Sequence, residues 1–397
     1  MYLKPKKKVA LLGEWNTENL GDRAIGWHAA KYFLDSNFEV KLIGLGSLQH
    51  LYDIADVHQL SEALHQDRPA GGHRSRSYKF LNTDIRKTYI VGIGLRYFRN
   101  RYRINTIKGH LRQCDLVMVG GGALLEDNKL HFPMSLHFVN KVSAKYKVPV
   151  ICLGCSSAQG ASWLGRKILR NFVASSELVA VRDAFTQEFL KKLAPAKEIG
   201  LFGDFAMELT QKAQENGSKP YTCVAINFMH LLNKEQVKHT NYERVVRKMI
   251  REMLQAHENI RVTLFTTGDA NDNQAVQSLY TEFQPDPNVN VLMPGNLVEL
   301  EQLYQKHHLV ISTRLHASIF AMNAGVPVVA LYASQKIKNF FVSVGLQDYC
   351  FPAFNESSAE SIVSLVKNNS YQAGLKLFNL DRFKQARTDV DDLVRKE

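Results

Sequence analysis

Cysteine is scarce in this sequence, and the five that occur, Cys114, Cys152, Cys155, Cys223 and Cys350, are scattered over 397 residues. An odd, sparse set excludes a disulfide framework as the source of stability. Cys152 and Cys155 form a C-x-x-C, but they sit in the apolar run 148–155, which reads as a buried strand and its exit. A redox pair of this spacing usually opens a helix, whose dipole lowers the thiol pKa, and residues three apart on a strand face opposite ways. Long hydrophobic runs are missing too: none approaches the roughly 20 residues of a membrane-spanning helix. The first eight residues, MYLKPKKK, lead into a strand-like run instead of the apolar segment and cleavage site of a secretory signal. A cytoplasmic protein is therefore expected. There is no zinc-finger, RRM or KH signature, no solenoid repeat, no P-loop and no H-x-x-x-H or paired-carboxylate metal motif.

Positive charge is what the chain has in excess. Lys and Arg number 50 against 38 Asp and Glu, a formal net charge of +12. Such a balance suits an anionic partner: nucleic acid, an anionic membrane surface or a phosphorylated substrate. The cations are spread along the chain, with modest clusters at 6–8 and 96–103. Without a nucleic-acid motif, no nucleic-acid partner is expected, and a small anionic substrate fits better.

The length calls for two domains. Strand-like and helix-like runs alternate from end to end, the pattern of parallel α/β sheets. Strands are expected at 9–13, 40–45, 89–94, 116–119, from 148 and at 178–181, with an amphipathic helix around Ile25, His28, Ala29, Tyr32 and Phe33 and a surface loop over 66–82. The polar stretch 208–220, containing Gly and Pro, reads as a linker. The alternation then restarts, with strands at 223–227, 262–265, 289–293, 309–312 and 326–332. The expectation is an N-terminal Rossmann-like domain over 1–207 and a second over 221–397. The two would face a central cleft in a GT-B-like architecture, with a site at the carboxyl ends of strands.

Four strand ends carry candidate chemistry. The run 309–332 reads strand, tight turn, short helix, Gly stop, Pro, strand. Ser312 or Thr313 is placed to cap the helix. Arg314 and His316 fall where free backbone N–H groups and the helix dipole favour an anion. Arginine adds a planar fork for phosphate or carboxylate, and histidine a proton carrier near neutral pH. The alternative at each is ordinary: an Arg paired with a local carboxylate, a His bonded in the core. Asn19-Leu20-Gly21-Asp22 follows the first strand. Gly21 permits close backbone approach. Asp22 can act as a general base or as an N-cap, the cap being favoured on spacing alone. Gly120-Gly121-Gly122 permits a tight turn under a ligand. Gly92-Ile93-Gly94 is too weak a signal to use. Arg182, beside Asp183, is either a second anion clamp or a local ion pair.

Together these pieces resemble the polysaccharide pyruvyl transferase family. Asn19-Leu20-Gly21-Asp22 is similar to its early Asn-x-Gly-Asp element. Gly120-Gly121-Gly122 with Asp127 is similar to its glycine-rich turn, and Arg182-Asp183 to its Arg-Asp element. Thr313-Arg314-Leu315-His316, the following Ala324-Gly325-Val326-Pro327 and Lys336 are similar to its C-terminal signature. Thr186, Phe205 and Ala123 depart from the pattern without removing a charge.

The resemblance implies transfer of pyruvate from phosphoenolpyruvate to a sugar of a surface polysaccharide precursor, as in exopolysaccharide, capsule or cell-wall synthesis, to form a cyclic ketal. It implies Arg182 and Arg314 as clamps, His316 as acid or phosphate partner and Asp22 as base. Asn19, Gly21, Gly121, Gly122, Asp127, Leu315 and Lys336 would complete the binding set. No cofactor and no metal are expected beyond the donor substrate. The acceptor, on the side of the N-terminal domain, would be a glycan on a lipid carrier, with peripheral contact to the anionic inner membrane face, and the C-terminal domain would bind phosphoenolpyruvate through Arg314-Leu315-His316. One rival is a nucleotide-sugar glycosyltransferase of the same fold, which needs an acidic residue for a ribose, such as Glu299 or Glu301 after Pro294-Gly295. The other is a non-catalytic basic binding module.

Overall fold

Short runs rich in Val, Ile and Leu, such as Leu116–Gly120, Val150–Leu153, Leu309–Ser312 and Val328–Tyr332, form strands with almost every residue buried. That pattern belongs to parallel sheets covered by helices on both faces. The computed structural model describes residues 6–15, 19–45, 49–56, 59, 105, 107–127, 130–157, 161–208, 222–231, 236–256, 259–374 and 380–396. The expected strand at 89–94, the loop at 66–82, the basic cluster at 96–103 and most of the expected linker lie outside them. Among the described residues, no helix is long and apolar enough to cross a membrane.

The chain forms two compact units. Unit 1 holds a seven-stranded sheet of β1 (Lys7–Gly13), β2 (Phe38–Gly44), β3 (Gln49–Ile54), β4 (Leu116–Gly120), β5 (Val150–Leu153), β6 (Leu178–Val181) and β7 (Gly200–Leu201). Its order is β3-β2-β1-β4-β5-β6-β7. All pairings are parallel except β2 with β3, an antiparallel edge that hydrophobic patterning did not indicate. Helices α1 (Leu20–Asp35), α2 (His131–Tyr146), α3 (Trp163–Ser175) and α4 (Ala184–Leu193) connect these strands.

Unit 2 holds a six-stranded sheet of β8 (Thr222–Asn227), β9 (Ile260–Phe265), β10 (Val289–Leu292), β11 (Leu309–Ser312), β12 (Val328–Tyr332) and β13 (Cys350–Pro352). The order is β10-β9-β8-β11-β12-β13, wholly parallel. The strand order therefore reverses between β8 and β11, and the carboxyl ends of these two strands are where such folds bind ligands. Helix α5 (Gln236–Ala256) shows what holds the layers together. Tyr242, Val245, Val246, Met249, Ile250 and Met253 recur at helical spacing and are fully buried. Each such side chain contributes about 1.5–3 kcal/mol. On the outer face, the Arg247 pairs with Glu243 and Glu282 remain partly exposed and are worth well under about 1 kcal/mol.

The unit boundaries differ from a single division near residue 207. Residues 17–24 count with unit 2, and residues 385–397 return to unit 1. Helix α11 (Asp381–Lys396), preceded by α6 (Ala270–Phe283), α7 (Leu297–Gln305), α8 (Leu315–Asn323), α9 (Gln335–Ser343) and α10 (Ser357–Lys367), makes that return. Its Arg387 lies over the Phe202 ring at 4.8 Å and donates to the Asp204 carbonyl at 2.9 Å. Burial pulls the Arg387 guanidinium down to about 10 against the pull of Asp204.

At the switch point of unit 1 the glycine turn is a packing device. Gly121 has φ 72°, and a Cβ there would lie 2.2 Å from Ile25 Cγ2. Gly121→Ala should therefore destabilise the protein by about 2–4 kcal/mol, combining left-handed backbone strain with overpacking. Chemical denaturation checks this; an unchanged midpoint would remove the packing role from this turn.

Candidate active site

The described site chemistry of unit 2 gathers around the end of β8. Asn227, fully buried, holds the neighbouring strand exits together. Its Oδ1 accepts from the Arg314 backbone N–H at 3.1 Å, and its Nδ2 donates to the Phe265 carbonyl at 3.3 Å. The Thr313 hydroxyl donates to the Asn227 carbonyl at 2.9 Å. Behind them Tyr242 accepts from the Met229 N–H, and burial raises its phenol well above the ordinary range. Neither Ser312 nor Thr313 caps α8, contrary to expectation. Thr313 turns back to β8, and Ser312 bonds Ser318. Arg314 occupies the cap position, and no side chain caps the helix.

Arg314 reaches across to the start of α6. Its Nε and Nη2 donate to Asp272 at 2.7 and 2.8 Å, a two-pronged pair with a carboxylate that is itself fully buried. Asp272 also accepts the His230 backbone N–H at 2.8 Å. Asp269 caps α6 through Oδ1 and brings Oδ2 to 4.0 Å from Arg314 Nη2. Burial opposes the Arg314 charge, but its hydrogen bond to Asp272 and the charges of Asp272, Asp269 and Asp22 outweigh this and raise its pKa. Of the two sequence-level alternatives for this arginine, the local pair is present. It fixes one edge of the fork and leaves Nη1 as the edge without a hydrogen bond among the described residues.

The first turn of α1 joins the same group. Leu20 N–H donates to the Thr267 carbonyl at 2.8 Å, which ties the turn to the exit of β9. Asn19 Oδ1 accepts from Gly21 N–H at 2.8 Å, so Asn19 is the cap. Asp22 lies inside the first turn rather than at the cap that its spacing favoured. Gly21 meets the imidazole of His316: a Cβ there would lie 2.1 Å from Nδ1. His316 stacks on Phe320 with ring centroids 6.2 Å apart. Lys336 stands in the first turn of α9, another helix without a side-chain cap, beyond the end of the adjacent strand β12.

Asn19, Gly21, Asp22, Arg314, Leu315, His316 and Lys336 thus belong to unit 2. The remaining sequence candidates belong to unit 1 and have internal partners. Arg182 is only 3% exposed, with Nη1 3.5 Å from Asp204, Nη2 on the Ser156 hydroxyl and Nε 3.9 Å from Asp183. Asp183 caps α4 through Thr186. Asp127 accepts from Leu130 N–H and Ser162 N–H, both at 2.6 Å. Gly121 packs under Ile25, while Gly122 faces open space. Asp269, Asp272 and Asn227 were missed from the sequence. Their signal was a Gly-Asp-x-x-Asp cap after one strand and an Asn ending another, neither of which reveals that it holds an arginine some 40 to 90 residues away.

Solved structures share this architecture. The UDP-GlcNAc 2-epimerase from Neisseria meningitidis bound to UDP-GlcNAc aligns over 98% of this chain and 100% of its own, with TM-score 0.57 and 13% identity. The UDP-GlcNAc 2-epimerase from Methanocaldococcus jannaschii aligns over 94% and 98%, with TM-score 0.54 and 12% identity. Acinetobacter baumannii MurG aligns over 98% and 100%, with TM-score 0.51 and 11% identity. At such identity these likenesses define the fold class: two Rossmann-like α/β domains of the GT-B kind. The chain belongs to the polysaccharide pyruvyl transferase family, whose sequence profile matches residues 19–335. No curated protein matches it in sequence.

Two substitutions separate site geometry from stability. Gly21→Ala should lower turnover at least tenfold by displacing His316. A helical Ala gains about 1 kcal/mol over Gly, but its Cβ would overlap His316 as far back as that residue's own Cβ, an overpacking that costs about 1–3 kcal/mol, so the melting temperature should fall slightly and turnover is read well below it. Normal turnover in this variant would mean the contact is irrelevant. Asp272→Asn should cost about 3 kcal/mol and free the fork of Arg314, because a largely buried cation loses its carboxylate. Equilibrium unfolding measures it; a loss below about 1 kcal/mol would show the pair to be no stronger than a surface ion pair.

Proposed function

We propose that this transferase moves the pyruvyl group of phosphoenolpyruvate onto two hydroxyls of one sugar in a polysaccharide precursor. The observation that carries the reading is the uncapped start of α8, flanked by Arg314 and His316 inside the segment matched by the family. A helix start favours an anion at its first backbone N–H groups, and here Arg314 stands at the cap position, with Lys336 in the first turn of the helix that follows the adjacent strand β12.

The donor carries a phosphate and a carboxylate on an enol carbon. His316 gives a proton to the methylene, and C2 becomes electrophilic. A sugar hydroxyl adds to C2 and passes its proton to Asp22. The C2–O bond to phosphate then breaks, and phosphate leaves with the electron pair. A second hydroxyl adds to the resulting cation and gives its proton to the imidazole that His316 left deprotonated, closing the ketal, while the departing phosphate takes up the proton held on Asp22. Phosphoenolpyruvate and a diol thus become ketal and inorganic phosphate. Arg314, braced by Asp272, holds the anion by the Nη1 edge, with Lys336 sharing the charge. Arg182, with its guanidinium committed inside unit 1, is left out of this scheme. The acceptor is proposed to be a lipid-linked glycan on a cytoplasmic membrane face. The glycosyltransferase reading is weakened by Glu299, whose carboxylate accepts from Gly295 N–H and Asn296 Nδ2 in a helix cap rather than standing ready for a ribose.

The experiment is incubation with phosphoenolpyruvate and a panel of lipid-linked or synthetic galactosides, glucosides and N-acetylmannosaminides, followed by a search for the ketal mass. Arg314→Lys should then reduce turnover by roughly a hundredfold, since lysine cannot keep the two-pronged bond to Asp272 and still reach the anion. His316→Gln should lose roughly 10²–10⁴ if it delivers the proton. Thermal melts run beside the assay: near-normal turnover, or a loss explained by unfolding alone, removes these residues from the chemistry.

A further inference from the structure

Acidic residues number 38 in the chain, yet none falls among the 49 residues between Asp127 and Glu177, which carry seven Lys and Arg. That stretch builds the neighbouring helices α2 and α3 of unit 1. Asp127 binds the entrances of both, and Ser175 of α3 donates to Asn140 of α2 at 3.0 Å. The helices bury Met134, Phe138, Val142, Ile168, Leu169 and Phe172 in the core. Their outer surface exposes Lys141, Lys145, Lys147, Arg166, Lys167 and Arg170, none of which forms an ion pair among the described residues. The same two helices also expose large apolar groups: Trp163 is 76% exposed, with Leu164 beside it in sequence and Tyr146 at the far end of α2. Lys167 lies over the Trp163 ring at 5.6 Å, and Lys145 over Tyr146 at 5.7 Å.

We infer that the α2–α3 face is a docking surface for an anionic phospholipid bilayer, with Trp163 and Leu164 entering the headgroup region and the six cations meeting lipid phosphates. It deepens the membrane contact proposed above by naming its surface, and it stands whichever group the enzyme transfers. The chemistry discriminates among occupants. Cations without carboxylates suit an anionic surface, and tryptophan flanked by lysine is the combination that settles at a membrane interface. A nucleic acid would take the cations but leave Leu164 in water. A second copy placed face to face would set this uncompensated charge against itself.

The test uses the full chain without substrate. Sedimentation with phosphatidylcholine vesicles containing one-third phosphatidylglycerol should pull the protein down, and pure phosphatidylcholine should not. Binding should be lost in molar salt, where the Debye length falls to roughly 3 Å. Trp163 is far more exposed than the other tryptophans, so emission should shift to the blue on binding, and Trp163→Phe should abolish the shift. Lys167→Glu with Arg170→Glu should weaken binding by more than about tenfold, given that a surface cation is worth about fivefold each. Both variants should melt like the parent and turn over a soluble acceptor normally, since none of these residues is in the core or the site of unit 2. Equal binding by parent and charge-reversed protein overturns the proposal. So does no preference for the anionic vesicles, duplex DNA that displaces the vesicles through the same residues, or a dimer in sedimentation equilibrium that these substitutions abolish.

Discussion

The pair between Arg314 and Asp272 orders the candidate site. Arg314 leaves the end of β11 and Asp272 enters α6 after β9, so their bond spans the central strand β8 that separates those strands in the sheet. Asn227 at the tip of β8 fixes the Arg314 backbone from below. A cation held from two directions presents its remaining edge in one orientation. A charged group directs chemistry only when it costs nothing to reorient during reaction, and this is the arrangement that supplies that property.

The same logic explains why glycine stands at position 21. The first turn of α1 approaches closely enough that any side chain would enter the space of the imidazole. Asn19 and the Thr267 carbonyl then settle two backbone donors of that turn. Asp22 is carried into the field of Arg314 as a consequence of helix geometry, because the third residue of the helix falls where the cap and the glycine place it.

Much of the architecture was legible in the sequence because parallel strands buried on both faces leave continuous apolar runs. Strands at 116–119, 178–181, 223–227 and 309–312 fall within a residue of their observed bounds. The antiparallel β3 and the three-residue β13 left no such trace, since an edge strand needs little apolar pattern. In the site, Arg314, His316, Gly21 and Asp22 stood out through their places beside strand ends. The cap of α8 was misjudged because spacing cannot tell a threonine that caps forward from one that bonds back to β8. Spacing alone favours Asp22 as a cap over a base because it does not reveal that Asn19, three residues earlier, takes that place. Arg182 illustrates a deeper limit: an arginine after a strand looks the same whether it faces a ligand or, as here, Ser156, Asp183 and Asp204. Pairing between distant residues is written in three dimensions, and one sequence supplies one.

The exchange of short segments between the units bears on how this protein can be taken apart. Unit 2 includes residues 17–24 and unit 1 includes residues 385–397, so no single cut in the chain yields two complete folding bodies. A fragment ending near residue 205 would lack the helix that carries Arg387 over Phe202, and would expose apolar surface where that helix belongs. A fragment beginning near 206 would lack the turn that packs against His316. Dissection of this enzyme into independently expressed halves therefore requires each half to be supplied with a piece of the other's sequence.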